Sequence, residues 1–338
     1  MDKASQRVEN LHDSYGRLAS KLRISITDRC NFRCNFCMPS QPVWLPHDEI
    51  LTFEEIVRTA RVLSQMGIDR IRLSGGEPLV RNDVEGLVSM LSRIEGIKSI
   101  GMTTNGSLLA AKASALKRAG LSSVTISLHS LKPERFDKIT GTNGIFDKIT
   151  EGIEAARSLD FKPLKINCVI TRGENDDEII DFARFAHETG VTVRFIEYMP
   201  FDGTKLWDAH RVITGEEIVD KINKIYPVTK IERETGSTAI EYNFEDGSEG
   251  GIATITSMSA PFCGDCDRIR ITADGKVVPC LFSRDEYDIK SKLRAGASDE
   301  ELSAYIRNVY FRKSPGVETM IKNKANLEHV RPMHTIGG

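Results

Sequence analysis

The chain has 338 residues, of which 40% are hydrophobic and 28% charged, and its formal net charge at pH 7 is -2. A chain of this length and composition can bury one large core and a modest extension, so we expect a soluble globular protein. The small net charge argues against a broad nucleic-acid-binding surface. We therefore expect neither a nucleic-acid nor a membrane partner, and only local binding of phosphate.

The first two thirds of the chain alternate short apolar runs with longer helical patterns, which is typical of repeated βα units and a parallel sheet. Strands are predicted over residues 22–27, 69–74, 99–104, 123–128, 164–171 and 191–198. Helices are predicted to begin near residues 52, 82, 107, 132, 143 and 176. Six such units fit a partial (β/α) barrel, although periodicity alone does not distinguish it from an open doubly wound sheet.

Beyond about residue 214 the pattern changes to one helix, several shorter strands, a hairpin that contains cysteines, and two late helices. No repeat or long linker marks the transition, so the boundary near residue 210 is soft. We predict two domains, residues 1–210 and residues 211–338, with the second packed on the open side of the first.

Three cysteines with C-x3-C-x2-C spacing, Cys30, Cys34 and Cys37, follow the first predicted strand. A cubane iron–sulfur cluster has four iron corners and is normally held by four thiolates, so a group of three predicts a cluster with one open iron. The alternative is a zinc knuckle, in which a fourth ligand would close a tetrahedron.

A second cysteine group lies in the predicted hairpin. Cys263 and Cys266 precede two alternating apolar runs around Asp274-Gly275, a strong turn signal, and Cys280 ends the second run. The return strand would bring Cys280 beside Cys266, which predicts a second set of three thiolates. The seventh cysteine, Cys168, lies in an apolar run and is predicted to be a small buried hydrophobe.

The number and spacing of the cysteines also bear on the cellular compartment. Seven cysteines with clustered short spacings, without a secretory leader, favour metal binding in a reducing environment over disulfides. We therefore expect the protein to be cytoplasmic.

Several residues that could bind a cofactor or a substrate lie where predicted strands end. Barrel enzymes carry their chemistry at the carboxyl ends of the strands. The residues at these positions are Asp28, Gly75, Gly76, Thr103, Ser127 and Met199. Glycines allow a cofactor to approach the backbone, although an isolated Gly-Gly pair is often only a tight turn. The order of the motifs favours a binding site.

Four predicted strands carry a cation between apolar neighbours, namely Arg23, Arg72, Lys165 and Arg194. Parallel strands covered by helices are buried on both faces, so an unpaired cation there costs several kcal/mol. Each cation could reach solvent or pair with a local carboxylate. Four together favour an anionic substrate such as a triphosphate, whose oxygens arginine binds in bidentate fashion.

These motifs together resemble the radical S-adenosylmethionine enzymes and, among them, the GTP 3′,8-cyclase family. The resemblance runs from about residue 22 to the end of the chain and is carried by residues 22–30, 72–78, 103–106, 193–199 and 262–270 and by the terminal glycine pair. It implies an α/β fold: a partial (β/α)6 TIM-like barrel with a C-terminal α+β domain that holds an auxiliary cluster and closes the barrel.

The resemblance implies two 4Fe-4S clusters and S-adenosylmethionine as cofactors. It implies conversion of GTP to (8S)-3′,8-cyclo-7,8-dihydroguanosine 5′-triphosphate, the first step of molybdenum cofactor synthesis. The implied ligands of the catalytic cluster are Cys30, Cys34 and Cys37, and those of the second cluster, which would bind guanine, are Cys263, Cys266 and Cys280. The implied contacts to S-adenosylmethionine are Phe36, Gly76, Ser127 and Met199. The implied contacts to GTP are Arg23, Arg72, Thr103, Lys165, Arg268 and Arg270.

Further expectations concern partners and individual residues. The resemblance implies a low-potential reductant such as ferredoxin or flavodoxin, a downstream cyclic pyranopterin monophosphate synthase, homodimer formation, and a Gly337-Gly338 tail that reaches the active site. His129 stands where many members carry aspartate, and we expect it to be satisfied by neighbouring groups rather than to act as a base. Two alternative functions for the whole protein are left open: a peptide-modifying radical enzyme with an auxiliary cluster, and a non-catalytic zinc or iron–sulfur protein.

Overall fold

The computed structural model describes residues 10–201, 207–322 and 332–337. The last residue of the terminal glycine pair, Gly338, lies outside this part of the chain. The first half contains β1 (Lys21–Ser25), α1 (Phe53–Ser64), β2 (Arg70–Ser74), α2 (Val84–Ser92), β3 (Ser99–Thr104), α3 (Leu109–Ala119), β4 (Ser123–Ser127), α4 (Pro133–Thr140), α5 (Phe146–Ser158), β5 (Leu164–Ile170), α6 (Ile179–Thr189) and β6 (Thr192–Glu197).

The second half contains shorter elements. They are α7 (Gly215–Asn223), β7 (Val228–Lys230), β8 (Ile240–Phe244), β9 (Gly251–Ile255), β10 (Arg268–Ile271), β11 (Lys276–Val278), β12 (Tyr287–Asp288), α8 (Lys290–Arg294), α9 (Asp299–Phe311), α10 (Val317–Lys322) and α11 (Met333–Ile336). The prediction of two late helices is wrong, because the described residues after β12 already contain four. Three of them have only 5, 6 and 4 residues, which is too short to produce a helical period.

The twelve strands form one sheet in the order β12-β11-β10-β1-β2-β3-β4-β5-β6-β9-β8-β7. Strands β1 to β6 are parallel neighbours in chain order. A doubly wound sheet would reverse its strand order at a switch point. The unreversed order therefore confirms the partial (β/α)6 barrel that the alternation of strands and helices left open.

Both edges of the six-stranded barrel bind strands from the second half of the chain. Strand β10 pairs in parallel with β1, and β9 pairs in parallel with β6. The second half also docks against α1 through ion pairs that join Arg58 to Asp299 at 2.8 Å and Glu55 to Arg294 at 2.8 Å. The carboxyl ends of all six barrel strands thus face a region bounded by the second half of the chain.

Local sequence signals explain where the helices begin. Thr52 caps α1 in a reciprocal capping box with Glu55, and Ser298 does the same for α9 with Glu301. One hydrophobic cluster runs through both halves of the chain, and Cys168 is buried within it, as predicted. Within the described ranges, no helix has the length and apolar character needed to cross a bilayer.

A small satellite core positions the end of the chain. Ile336 of α11 packs with Phe201, Phe282 and Val317, away from the main core. The amide of Met333 donates to the carbonyl of Phe201 at 3.1 Å. These contacts bring the last described residues over the carboxyl ends of the barrel strands.

Candidate active site

Two adjoining cavities lie at the carboxyl ends of the barrel strands. The first is lined by the cysteines of the first group and by Gly75, Gly76 and His129. The second is lined by the cysteines of the second group and by five arginines. Both cavities share the wall residues Thr103, Asn167, Ile196, Met199 and Met333. The two cavities therefore lie side by side, with one cysteine group in the wall of each.

The first cysteine group lies in the loop after β1, where backbone hydrogen bonds hold it. The amide of Cys37 donates to the carbonyl of Cys34 at 3.1 Å, and the Arg33 guanidinium donates to the Cys30 carbonyl at 2.8 Å. Burial raises the pKa of Cys30 to about 11 and that of Cys37 to about 12. These thiols therefore need a positive partner, such as a metal, to become thiolates.

The second cysteine group is assembled by the predicted hairpin. Strand β10 turns through Asp274 and Gly275, where Gly275 has φ of 72°, and returns antiparallel as β11. This turn brings Cys280 to the same cavity wall as Cys263 and Cys266. Three soft sulfur donors therefore face the second cavity, as the hairpin signal predicted.

Cys266 has a different electrostatic environment from the first group. Burial acts to raise the pKa of Cys266, but the positive charges of Arg268 and Lys313 outweigh it and lower the pKa to about 6. Their nitrogens lie 3.2 and 3.4 Å from the Cys266 Sγ. These two cations therefore favour the thiolate form of Cys266.

The donor sets fit iron–sulfur clusters with an open iron. Each set supplies three thiols, the ligands that such clusters prefer. Gly316 has φ of 120°, and a Cβ there would lie 2.4 Å from the Cys263 Sγ, so the backbone packs directly against this ligand. Among the side chains that the structure describes, no three His, Cys, Asp or Glu residues form a group suited to a single metal ion.

A row of arginines forms the positive wall of the second cavity. The parallel register places Arg270 beside Arg23, and Arg23 beside Arg72, so the three side chains project from the same face. None of the three forms an ion pair with a carboxylate of the described residues. Burial, together with the charges of Arg270 and Arg72, holds the pKa of Arg23 well below its usual value.

Two more arginines complete this wall, Arg194 and Arg268. Arg194 donates to Asn167 at 2.9 Å, whereas the Nη1 of Arg268 and the Nε of Arg23 are buried without a partner. A buried donor without a partner is costly, and like charges in one row repel each other. The arrangement is therefore suited to a ligand with several negative charges.

Nearly all of the predicted site residues line the cavities, and Thr103 and Met199 line both. Phe36, Gly76, Ser127 and Met199 line the first cavity, and Arg23, Arg72, Thr103, Arg268 and Arg270 line the second. Lys165 lines neither cavity, because its ammonium is paired with Glu241 of β8. Its contact to substrate stays a prediction. Arg194 of β6, another of the four strand cations that the sequence indicated, does line the second cavity.

Gly75 and Gly76 after β2 line the first cavity, and the buried Glu77 follows them. A Cβ on Gly76 would lie 2.3 Å from the carbonyl oxygen of Arg29, so this turn packs directly on the first cysteine loop. Glu77 is buried and accepts hydrogen bonds from the amides of Leu79 and Asn105 at 3.0 and 2.6 Å. Burial raises the pKa of Glu77 to about 7.

The end of the chain also reaches the site. The Gly337 carbonyl accepts a hydrogen bond of 3.4 Å from Arg270, and Gly337 has φ of 71°. A Cβ at this position would lie 2.7 Å from the Ser74 Oγ. Sequence reasoning missed His334 and Met333, which line the first cavity. Only the terminal glycine pair hinted that this segment belongs to the site.

His129 is buried in the wall of the first cavity. Its Nδ1 accepts a hydrogen bond from the Val169 amide at 3.1 Å, and its ring meets Phe36 edge to face. Burial lowers the pKa of His129 to about 3, so the ring is neutral. These contacts agree with the prediction of a histidine satisfied by its neighbours.

The neutral state of His129 predicts a pH dependence of stability. Below about pH 6.5 the unfolded chain protonates this histidine and the folded chain does not, so stability is lost as the pH falls towards 3. Between pH 6.5 and 5 this loss amounts to about 2 kcal/mol. We expect the free energy of unfolding of His129→Gln to fall by about 2 kcal/mol less than that of the wild type between pH 6.5 and 5. Urea unfolding of the apoprotein measures this difference.

The exposed His47 provides the control for this prediction. The His47→Gln variant should follow the wild-type profile. Glu77 contributes with opposite sign over the same range, because its pKa is raised, but it does so equally in all three proteins and cancels in the comparison. Parallel profiles for the wild type and His129→Gln would contradict the prediction.

Two family models match successive parts of the chain. The Radical SAM superfamily model matches residues 24–186, and the Molybdenum Cofactor Synthesis C model matches residues 191–319. A solved structure described as "Native anSMEcpe with bound AdoMet and Kp18Cys peptide" aligns with a TM-score of 0.57 at 15% identity, over 87% of this chain and 82% of that chain. At this identity the likeness shows the shared fold alone.

Relatives of known name are much more similar in sequence. The "GTP 3',8-cyclase" of Syntrophomonas wolfei is 42% identical over 96% of this chain and 99% of its own length. That of Moorella thermoacetica is 47% identical over 87% and 91%. "Molybdenum cofactor biosynthesis protein 1" of Mus musculus is 46% identical over 97% of this chain, which spans only 51% of that protein. The chain thus spans about half the length of its mammalian relatives and nearly all of a bacterial one. It belongs to the GTP 3′,8-cyclase family of the radical SAM superfamily.

Proposed function

We propose that this protein converts GTP to (8S)-3′,8-cyclo-7,8-dihydroguanosine 5′-triphosphate, the first step of molybdenum cofactor synthesis. The observation that carries the proposal is the row of arginines, without carboxylate partners among the described residues, beside the second cysteine group in a cavity that adjoins that of the first group. A nucleoside triphosphate matches this space, because it has an anionic end and a base that can bind metal.

The first cavity is assigned to the cofactors. Cys30, Cys34 and Cys37 would hold one 4Fe-4S cluster, with S-adenosylmethionine against Phe36, Gly76, Ser127 and Met199. Once bound, this pair supplies the one-electron chemistry that removes hydrogen from the ribose of GTP and permits the bond between C3′ and C8. The chain itself orients these groups and surrounds them with apolar side chains, which limits the access of water.

The second cavity is assigned to GTP. Arg23, Arg72 and Arg270 bind the triphosphate, and Arg194 lies close enough to add a further positive charge. The guanine lies at the second cysteine group, which would hold the other 4Fe-4S cluster. Arg268 stacks on the Phe262 ring with its Cζ 5.2 Å from the centroid and also donates to the Cys266 Sγ, so it connects the substrate wall to the cluster ligands.

Gly101 is expected to determine where the arginine row can bind phosphate. The register places it next to Arg72, and a Cβ there would lie 2.7 Å from the Arg72 Cζ. We expect Gly101→Ala to displace this guanidinium and weaken GTP binding by about tenfold in anaerobic calorimetry. Gly251→Ala is the control, because this strand glycine lies away from the cavities. Equal affinities for both variants would contradict the prediction.

Further parts of the proposal concern organisation and partners. The barrel comprises residues 1–210, and residues 211–338 form the domain that closes it. Electrons come from a low-potential donor such as ferredoxin or flavodoxin, and the product passes to a cyclic pyranopterin monophosphate synthase. The protein acts as a homodimer in the cytoplasm. Lys165 contacts GTP only if its pairing with Glu241 is exchanged for phosphate.

The test is an anaerobic reaction of reconstituted protein with S-adenosylmethionine, dithionite and GTP, followed by mass spectrometry. We expect 5′-deoxyadenosine together with an isomer of GTP, and no isomer when ATP replaces GTP. If 5′-deoxyadenosine forms while GTP is unchanged, the assignment of the cofactors is supported and the assignment of GTP as the substrate is refuted. If neither product forms in protein that carries both clusters, the proposed reaction is refuted. A zinc-loaded protein without iron–sulfur absorbance would instead support a structural role.

A further inference from the structure

A buried lysine lies behind the second cysteine group. Lys313 follows α9 and is 2% exposed. Its ammonium donates to the carbonyls of Arg268 and Cys266 at 2.8 and 3.2 Å, to the Tyr310 hydroxyl at 3.1 Å, and to the Cys266 Sγ at 3.4 Å. No carboxylate in the described parts of the chain lies within ion-pair distance of it. The Cys266 sulfur is therefore the cysteine ligand that this ammonium contacts.

The surrounding segment holds the ammonium in place. Arg17, itself paired with Asp13 at 2.6 Å, donates to the carbonyls of Ser314, Pro315 and Cys263 at 2.6, 3.0 and 2.9 Å. These contacts fasten the residues after Lys313 to the second cysteine loop. The position of the charge is thus built into the fold rather than left to a flexible side chain.

Lys313 differs from the arginines of the site in one respect. It lines neither cavity, whereas Arg268, which also contacts the Cys266 Sγ, lies on the wall of the second cavity. A change at Arg268 would disturb substrate and ligand together. A change at Lys313 would alter the charge beside the cysteine and would reach the substrate wall only through the hydrogen bond to the Arg268 carbonyl.

A fixed positive charge at this distance has a definite electrostatic effect. Hydrogen bonds to cluster sulfurs and nearby charges set the reduction potential of an iron–sulfur cluster. The reduced cluster carries one more negative charge than the oxidised cluster, so a nearby cation favours the reduced form. Burial strengthens the effect, because little water remains to screen it.

We propose that Lys313 is a positioning residue that holds the Cys266 side of the auxiliary cluster and raises the reduction potential of that cluster. The inference rests on the proposed function only in requiring an iron–sulfur cluster on Cys263, Cys266 and Cys280. It does not require GTP to be the substrate. The electron comes from the external reductant, and one electron converts the oxidised cluster to the reduced cluster.

The experiment is an anaerobic redox titration of the reconstituted full chain, followed by electron paramagnetic resonance without GTP. The variants are Lys313→Met, Lys313→Gln, which keeps a hydrogen-bond donor, and Lys313→Arg, which keeps the charge. Lys290→Met is the matched control, because Lys290 is another buried lysine but pairs with Glu49, away from the cysteines. The first cluster, recognised by its response to S-adenosylmethionine, is the internal reference.

We expect both neutral variants to shift the auxiliary cluster to a lower potential, so that its reduced-to-oxidised ratio at a fixed potential falls by about tenfold. Lys313→Arg should retain most of the wild-type potential, and Lys290→Met all of it. The first cluster should not shift in any variant.

Three results would overturn the inference. Neutral variants that hold about eight iron atoms per chain and titrate like the wild type would show that the charge has no such role. Equal shifts of both clusters would indicate a general structural change. A wild-type protein with only about four iron atoms would instead refute the two-cluster assignment, and this role with it. A shifted potential in a protein that does not cyclise GTP would support the inference and count against the substrate alone.

Discussion

Replacing Arg23 by glutamine is expected to weaken GTP binding by about 30-fold or more, equivalent to about 2 kcal/mol, without destabilising the free protein. Arg23 is half-buried between Arg270 and Arg72, its Nε has no hydrogen-bond partner, and no carboxylate of the described residues pairs with it. Its neutral replacement relieves repulsion in the free protein and removes an attraction in the complex. Affinity and stability should therefore change independently.

Anaerobic calorimetry with GTP and thermal unfolding of the ligand-free protein measure these two quantities. Arg58→Gln is the control, because Arg58 pairs with Asp299 on the surface of α1. That variant should keep the affinity for GTP and lose a little stability. Arg23→Gln with wild-type affinity would contradict the assignment of the arginine row to phosphate. A large loss of stability would show that Arg23 has a structural partner in the free protein.

Replacing Cys34 by alanine is expected to abolish cleavage of S-adenosylmethionine. Cys34 lies between Cys30 and Cys37 in the loop after β1, and burial and the neighbouring thiols raise its pKa well above the usual value. A metal must therefore stabilise its thiolate, and two remaining thiols do not replace three. Iron per chain should fall from about eight to about four atoms, with no 5′-deoxyadenosine detected.

Cys168→Ala is the matched control for this prediction. Cys168 is fully buried in the main core and lines neither cavity. Its variant should keep the full iron content and the wild-type rate of 5′-deoxyadenosine formation, with a modest loss of stability. If Cys34→Ala still formed 5′-deoxyadenosine, the first cysteine group would not be the catalytic cluster site.

The six βα units illustrate how far local signals extend. Apolar runs predicted each barrel strand, and the helical pattern placed the start of α1 near Thr52, which the structure shows to be its capping residue. The pairing of β10 with β1 joins Lys21 to Arg268 and could not be read in this way. Periodicity identifies a strand and its buried face, but it carries no information about which distant strand lies beside it.

Single residues of the site also show the difference between what the local sequence indicates and what depends on distant residues. The alternation of β5 makes Lys165 look equivalent to Arg23, yet Glu241 from β8 neutralises it. Gly101 is unremarkable as a residue of β3, and only the register places it against the Arg72 guanidinium. Neither partner is near in sequence, so no motif could have indicated the contact.

The sequence by itself determined both cysteine groups, the strand ends that carry the first site, and the family of the protein. These features depend on residues that are close in sequence. The cysteines of each group lie within one loop or one hairpin, so a short stretch of chain brings their sulfurs together. Only the tertiary structure decided which cations remain unpaired, that Gly337 meets Arg270, and that Lys313 lies behind Cys266. Those outcomes depend on pairings across 47 to 67 residues or more, which arise when the second half of the chain closes the barrel.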